Sequence, residues 1–131
     1  PWQHVLEPLS GYLKLGARLL EGKVEFASGW NFGPRSESIV SVEDVVKQVI
    51  RCYGKGEYRY SSITDATLHE AGFLSLDISK AHHLLHWQPR WDLNKAIEET
   101  IAWYKSAHLE DIKNLSIDTI YRYMQQAFQT P

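Results

Sequence analysis

His82, His83 and His86 crowd one short stretch, and His82 and His86 stand four apart, the spacing that puts two imidazoles on one helix face. Two ring nitrogens so placed are the start of a zinc site, which would need further ligands such as His69 or Glu70; no cysteine pair helps. Packing is the better reading of this cluster, and no metal is expected. Asn31 offers different chemistry. Between Trp30 and Phe32-Gly33-Pro34, its amide can donate to an anionic oxygen while Gly33 lets the backbone come close. The alternative is that Asn31 ties down its own loop. His4 titrates, by residue type, in the range useful for acid–base work, but nothing beside it in sequence supports that role.

Equally informative is what the chain lacks. Its glycines form neither G-x-x-G-x-x-G nor G-x-G-x-x-G, so no dinucleotide phosphate turn is present. No Tyr is followed four residues later by Lys, and there is neither a P-loop nor a G-x-S-x-G elbow. On these grounds the chain alone is expected to be unable to transfer hydride.

The elements that must position these residues are marked by spacing. Leu6, Leu9, Leu13, Ala17 and Leu20 form one helical stripe, flanked by Tyr12, Leu15 and Leu19, with Gly22 as a stop. Residues 27–32 read as a short strand. Ser41-Val42-Glu43-Asp44 reads as a capping box opening a helix with Val42, Val45, Val46, Val49, Ile50 and Tyr53 on its apolar face. Residues 57–61 and 74–76 alternate like strands. Asp77 or Ser79 can cap a short helix through Leu85, and Trp87-Gln88-Pro89 then imposes an extended turn. Asp92 caps a helix burying Leu93, Ala96, Ile97, Ile101 and Tyr104. A last helix, about 116–128, carries Ile117, Ile120, Tyr121, Met124 and Phe128. Strands this few and short need partners, which points to a piece of a larger fold.

Composition sets the outer limits. At 131 residues with 44% hydrophobic content, the chain holds one domain, 1–131, with a real core. A net charge of −2 gives no footprint for nucleic acid or for acidic membranes. A single cysteine, Cys52, precludes an intrachain disulfide and fits a reducing, cytoplasmic setting. No apolar run is long enough to span a bilayer.

The opening Pro1-Trp2-Gln3-His4-Val5-Leu6-Glu7-Pro8-Leu9-Ser10-Gly11-Tyr12, together with Trp30-Asn31-Phe32-Gly33-Pro34, resembles the C-terminal third of CDP-glucose 4,6-dehydratases, NAD-dependent members of the extended short-chain dehydrogenase/reductase superfamily. The run from Asp77 to Pro89 is similar to a packing signature of that superfamily, with His86 standing where a glycine often precedes the Trp. The resemblance implies an α/β fold: the helix-rich, C-terminal substrate-binding portion of a Rossmann-type enzyme, with a few short strands. It also implies conversion of CDP-glucose to CDP-4-keto-6-deoxyglucose by the parent. In that reaction NAD, held by an N-terminal portion this chain lacks, oxidises C4, water leaves from C5 and C6, and hydride returns to C6. By the same resemblance Gln3, His4, Asn31, His69 and Glu70 bind the nucleotide sugar: Asn31 beside the diphosphate, His69-Glu70 toward the ribose. Gln3 and His4 would alternate sides of a strand, so that at most one faces the ligand. No arginine stands in 64–68, where relatives commonly grip phosphate. The expected partners are the nucleotide-sugar substrate and further copies in a homo-oligomer. The rival readings are a dehydratase or epimerase for another nucleotide sugar, and a non-catalytic protein-interaction module.

Overall fold

The computed structural model describes residues 2–60, 74–109 and 111–126. Five helices follow one another within them: α1 (Leu6–Leu20), α2 (Val42–Tyr53), α3 (Ser79–Leu85), α4 (Leu93–Ser106) and α5 (Ile112–Gln125), with short 3-10 turns at Val24–Phe26 and Ser36–Ser38. Among the described residues there is no strand, so the expected α/β architecture with short strands is corrected, for this part, to a helical one. The reason lies in pairing. The loop around Asn31 and the segment before α3 do meet: Asn31 Nδ2 donates to the Asp77 carbonyl at 3.2 Å. No backbone hydrogen bond joins these two segments, and without such a ladder neither becomes a strand. Residues 57–60 likewise run exposed past two left-handed glycines, Gly54 and Gly56.

Local chemistry sets most helix ends where the sequence puts them. Ser41 Oγ accepts the Asp44 N–H at 3.1 Å while Asp44 Oδ2 accepts the Ser41 N–H at 3.3 Å, a complete capping box, and Gly54 closes α2 at φ 88°. Asp92 Oδ1 accepts the Lys95 N–H at 2.8 Å to open α4, and Asp77 Oδ1 takes the Ser79 N–H at 2.8 Å ahead of α3. α5 starts a turn earlier than expected, because Asp111 accepts the Lys113 N–H at 2.9 Å. The end of α3 is unusual: His86 sits at φ 50°, ψ 42°, the left-handed conformation that glycine adopts without strain. The glycine that the resemblance leads one to expect there has a backbone reason, and histidine bears a steric cost in its place.

Two apolar clusters form the core. Phe32, Ala81, Leu85 and Trp87 gather between α1 and α3, with Leu15, Phe26, Trp30 and Ile78 against them. Leu93, Ile97 and Ile101 of α4 meet Val45, Val49 and Cys52 of α2 and Val40 before it. Each such side chain taken fully out of water contributes about 1.5–3 kcal/mol. Two expected stripes are corrected. On α1, Leu9, Leu13, Ala17 and Leu20 are exposed, Leu13 by 77% and Leu20 by 91%, while Glu7 and Gly11 are buried. Gly11 turns inward because the Phe32 ring lies on it: a Cβ there would come within 2.3 Å of that ring. On α5, Ile117, Ile120, Tyr121 and Met124 are exposed, whereas Leu115, Thr119 and Tyr123 are buried. Phe128 lies outside the described residues. Tyr104, expected in the α4 core, is also exposed.

Candidate functional site

Glu7 is fully buried, and its carboxyl group accepts three donors. The Arg90 N–H is shared between both oxygens at 3.0 Å, the Trp91 N–H reaches Oε1 at 2.8 Å, and the Tyr123 hydroxyl reaches Oε2 at 2.7 Å. Ser10, one turn along α1, accepts the Trp87 indole N–H at 2.9 Å and lies 3.0 Å from the Tyr123 hydroxyl. Thus one turn of α1 holds both sides of the Trp87–Trp91 bend and the inner face of α5. Burial, and then the hydrogen bond to Glu7, raise the Tyr123 phenol well above its ordinary range, so it remains a donor at any physiological pH. Sequence reading missed this junction, since a Glu beside Pro at a helix start reads as an ordinary first-turn acid. The available signal was its place on the face that Gly11 also occupies.

Immediately before Glu7, the two opening site residues line one open groove of about 530 Å³ between the N-terminal segment, α4 and α5. Val5, Leu6, Trp103 and Ile120 supply its apolar wall. Gln3 and His4 were expected on opposite sides of a strand, but residues 2–5 lead into the helix through a turn and both border the groove. Gln3 Nε2 donates to the Phe32 carbonyl at 3.0 Å, which joins this segment to the Asn31 loop and leaves the Gln3 side-chain Oε1 buried without a partner among the described residues. His4 is buried; its Nδ1 accepts the Leu6 N–H at 3.2 Å and its ring meets Trp91 edge-on at 4.8 Å. Burial favours the neutral ring and lowers the His4 pKa below the ordinary imidazole value, despite Glu99, whose negative charge pulls the other way.

Asn31 is exposed and donates one amide hydrogen to Asp77, the loop-tying role, with its second N–H in no hydrogen bond among the described residues. Gly33, expected to let backbone approach a ligand, is buried against Leu76, whose Cβ would lie 2.8 Å from a Cβ at this glycine. His69 and Glu70 lie outside the described residues. The structure therefore brings Gln3, His4 and the Asn31 loop into one neighbourhood. His82, His83 and His86 are exposed, and no group of three metal-ligating side chains gathers among the described residues. No helix among them is long and apolar enough to cross a membrane. Among the described residues the two buried glycines, Gly11 and Gly33, have protein side chains where a dinucleotide phosphate cradle would need open space.

Comparison with known proteins finds this helical unit similar in sequence to part of two nucleotide-sugar 4,6-dehydratases. It is similar to CDP-glucose 4,6-dehydratase of Salmonella typhimurium (strain LT2), with 43% identity over 108 residues, covering 81% of this chain and 29% of that protein. It is also similar to dTDP-glucose 4,6-dehydratase of an Actinoplanes species, with 29% identity over 106 residues, covering 80% of this chain and 30% of that protein. The chain thus spans about three tenths of the length of the curated relatives it matches. No family model matches it.

Proposed function

We propose that this chain is the substrate-binding part of a nucleotide-sugar 4,6-dehydratase that acts on CDP-glucose. The observation that carries the reading is the 43% identity to CDP-glucose 4,6-dehydratase across 81% of the chain. That figure stands well above the 29% shared with the dTDP-glucose relative. The task of this part is orientation: Asn31 and Gln3 hold the nucleotide end, with His4 beside them and His69 and Glu70 toward the ribose. Binding energy gathered there sets the glucose in register for chemistry elsewhere. NAD supplies the redox chemistry and is held by residues outside this chain. The isolated chain is accordingly inactive, and the parent assembles as a homo-oligomer.

Calorimetric titration with CDP-glucose and dTDP-glucose tests the reading. Tighter binding of CDP-glucose is the expected result. Equal or tighter binding of dTDP-glucose would overturn the assignment of the base, and a chain that binds neither would overturn the substrate-binding role.

A further inference from the structure

His4 combines three features in one residue. It is buried, with 8% of its surface exposed. Its Nδ1 is the acceptor for the Leu6 N–H at 3.2 Å, the first of the free donors at the start of α1. Its own carbonyl accepts the Glu7 N–H at 3.0 Å, so the same residue satisfies a second donor of that turn. An imidazole that accepts through Nδ1 must be neutral and carry its proton on Nε2. A second proton would convert the acceptor into a donor aimed at another N–H, at the helix end where the backbone dipole already disfavours positive charge.

The charges around the ring do not rescue the protonated form. Glu99 of α4 is the carboxylate that acts on His4, but it is already held by Lys95 at 2.7 Å and by Arg122 of α5 at 2.9 Å. On the α1 side, Glu7 is committed to Arg90, Trp91 and the Tyr123 hydroxyl. From the bend before α4, the nearest contact is the edge of Trp91.

We propose that His4 is a proton-operated latch: neutral, it caps α1 and holds the N-terminal segment against α4 and α5; protonated, it releases that segment and unmakes the groove wall. Among the described residues two other side-chain hydrogen bonds hold the segment: Trp2 Nε1 to the Val40 carbonyl at 3.2 Å, which is exposed, and Gln3 Nε2 to the Phe32 carbonyl. Burial lowers the His4 pKa, and this fixes the sign. Above the ordinary imidazole value of about 6.5 the latch is fully closed. As pH falls from there toward the lower native value the closed state loses stability, because the open state binds the proton more tightly. Between about 6.5 and the native pKa each pH unit multiplies the open-to-closed ratio about tenfold, and the gain levels off below the native pKa.

The test is a pH titration followed by NMR on the whole chain. The His4 ring should titrate below the ordinary imidazole value, with the Leu6 amide and the Trp91 indole moving at the same midpoint. In His4→Asn, whose side-chain oxygen stands near the place of Nδ1 and does not titrate here, those two signals should hold steady across that range. Titration of His4 at or above the ordinary value, or Leu6 and Trp91 signals unmoved at its midpoint, would overturn the proposal. So would a folded His4→Asn chain that kept the wild-type transition. Should His4→Asn not fold, the wild-type titration decides alone.

Discussion

Glu7 and Glu99 are both buried carboxylates, and the molecule treats them in opposite ways. Glu7 is met by two backbone N–H groups and a phenol, all enclosed. Glu99 is met by Lys95 and Arg122, side chains that remain 39% and 45% exposed. Burial raises the Glu99 carboxyl, but the hydrogen bonds from Lys95 and Arg122 outweigh it and leave the pKa below the ordinary value. Flexible cations reaching in from water can be replaced by water when they leave. Backbone donors fixed in a bend cannot, since each would be left buried and unpaired. Glu7 therefore sets geometry, whereas Glu99 adjusts charge.

Glu7→Ala breaks the contrast most directly. It strands two N–H groups and a hydroxyl at roughly 1–3 kcal/mol each, so a loss of at least about 3 kcal/mol is expected by urea unfolding. Tyr123→Phe removes one hydrogen bond to a charged group from the same junction and should cost about 1.5–3 kcal/mol by the same measurement. His86→Gly moves the other way: it relieves a left-handed residue at the end of α3 and should stabilise by roughly 1 kcal/mol, seen as a raised Tm. Glu99→Gln should change unfolding free energy by about 1 kcal/mol or less, because both its partners keep access to water. If Glu99→Gln proved as damaging as Glu7→Ala, the distinction between the two carboxylates would collapse.

The same contrast explains what could be read from the sequence. Elements fixed by neighbours along the chain were legible: α1 runs over the expected residues, and the caps at Ser41, Gly54 and Asp92 stand where residue type puts them. Which face of a helix is buried was not legible: the apolar stripes that spacing marks on α1 and α5 are largely exposed. The choice fell to distant partners, the Tyr123 hydroxyl for Glu7 and the Phe32 ring for Gly11. The strands failed for a related reason, since pairing is not a property of one segment. Of the site, Gln3, His4 and Asn31 were marked by their motifs, yet their convergence depends on the Gln3 bond to Phe32, 29 residues away. The left-handed His86 could be suspected only from the glycine expected in its place.

The central claim is that this part holds the nucleotide sugar at Gln3 and Asn31. Titrating CDP-glucose into the isotope-labelled chain and following the side-chain amide signals tests it directly. The account predicts that the Gln3 and Asn31 signals shift together and saturate at one concentration, while the Gln48 amide, which donates to Asn94 on the α2–α4 side, stays still. Saturating CDP-glucose that leaves both signals in place, or that moves only residues remote from the N-terminal segment and the Asn31 loop, would contradict it.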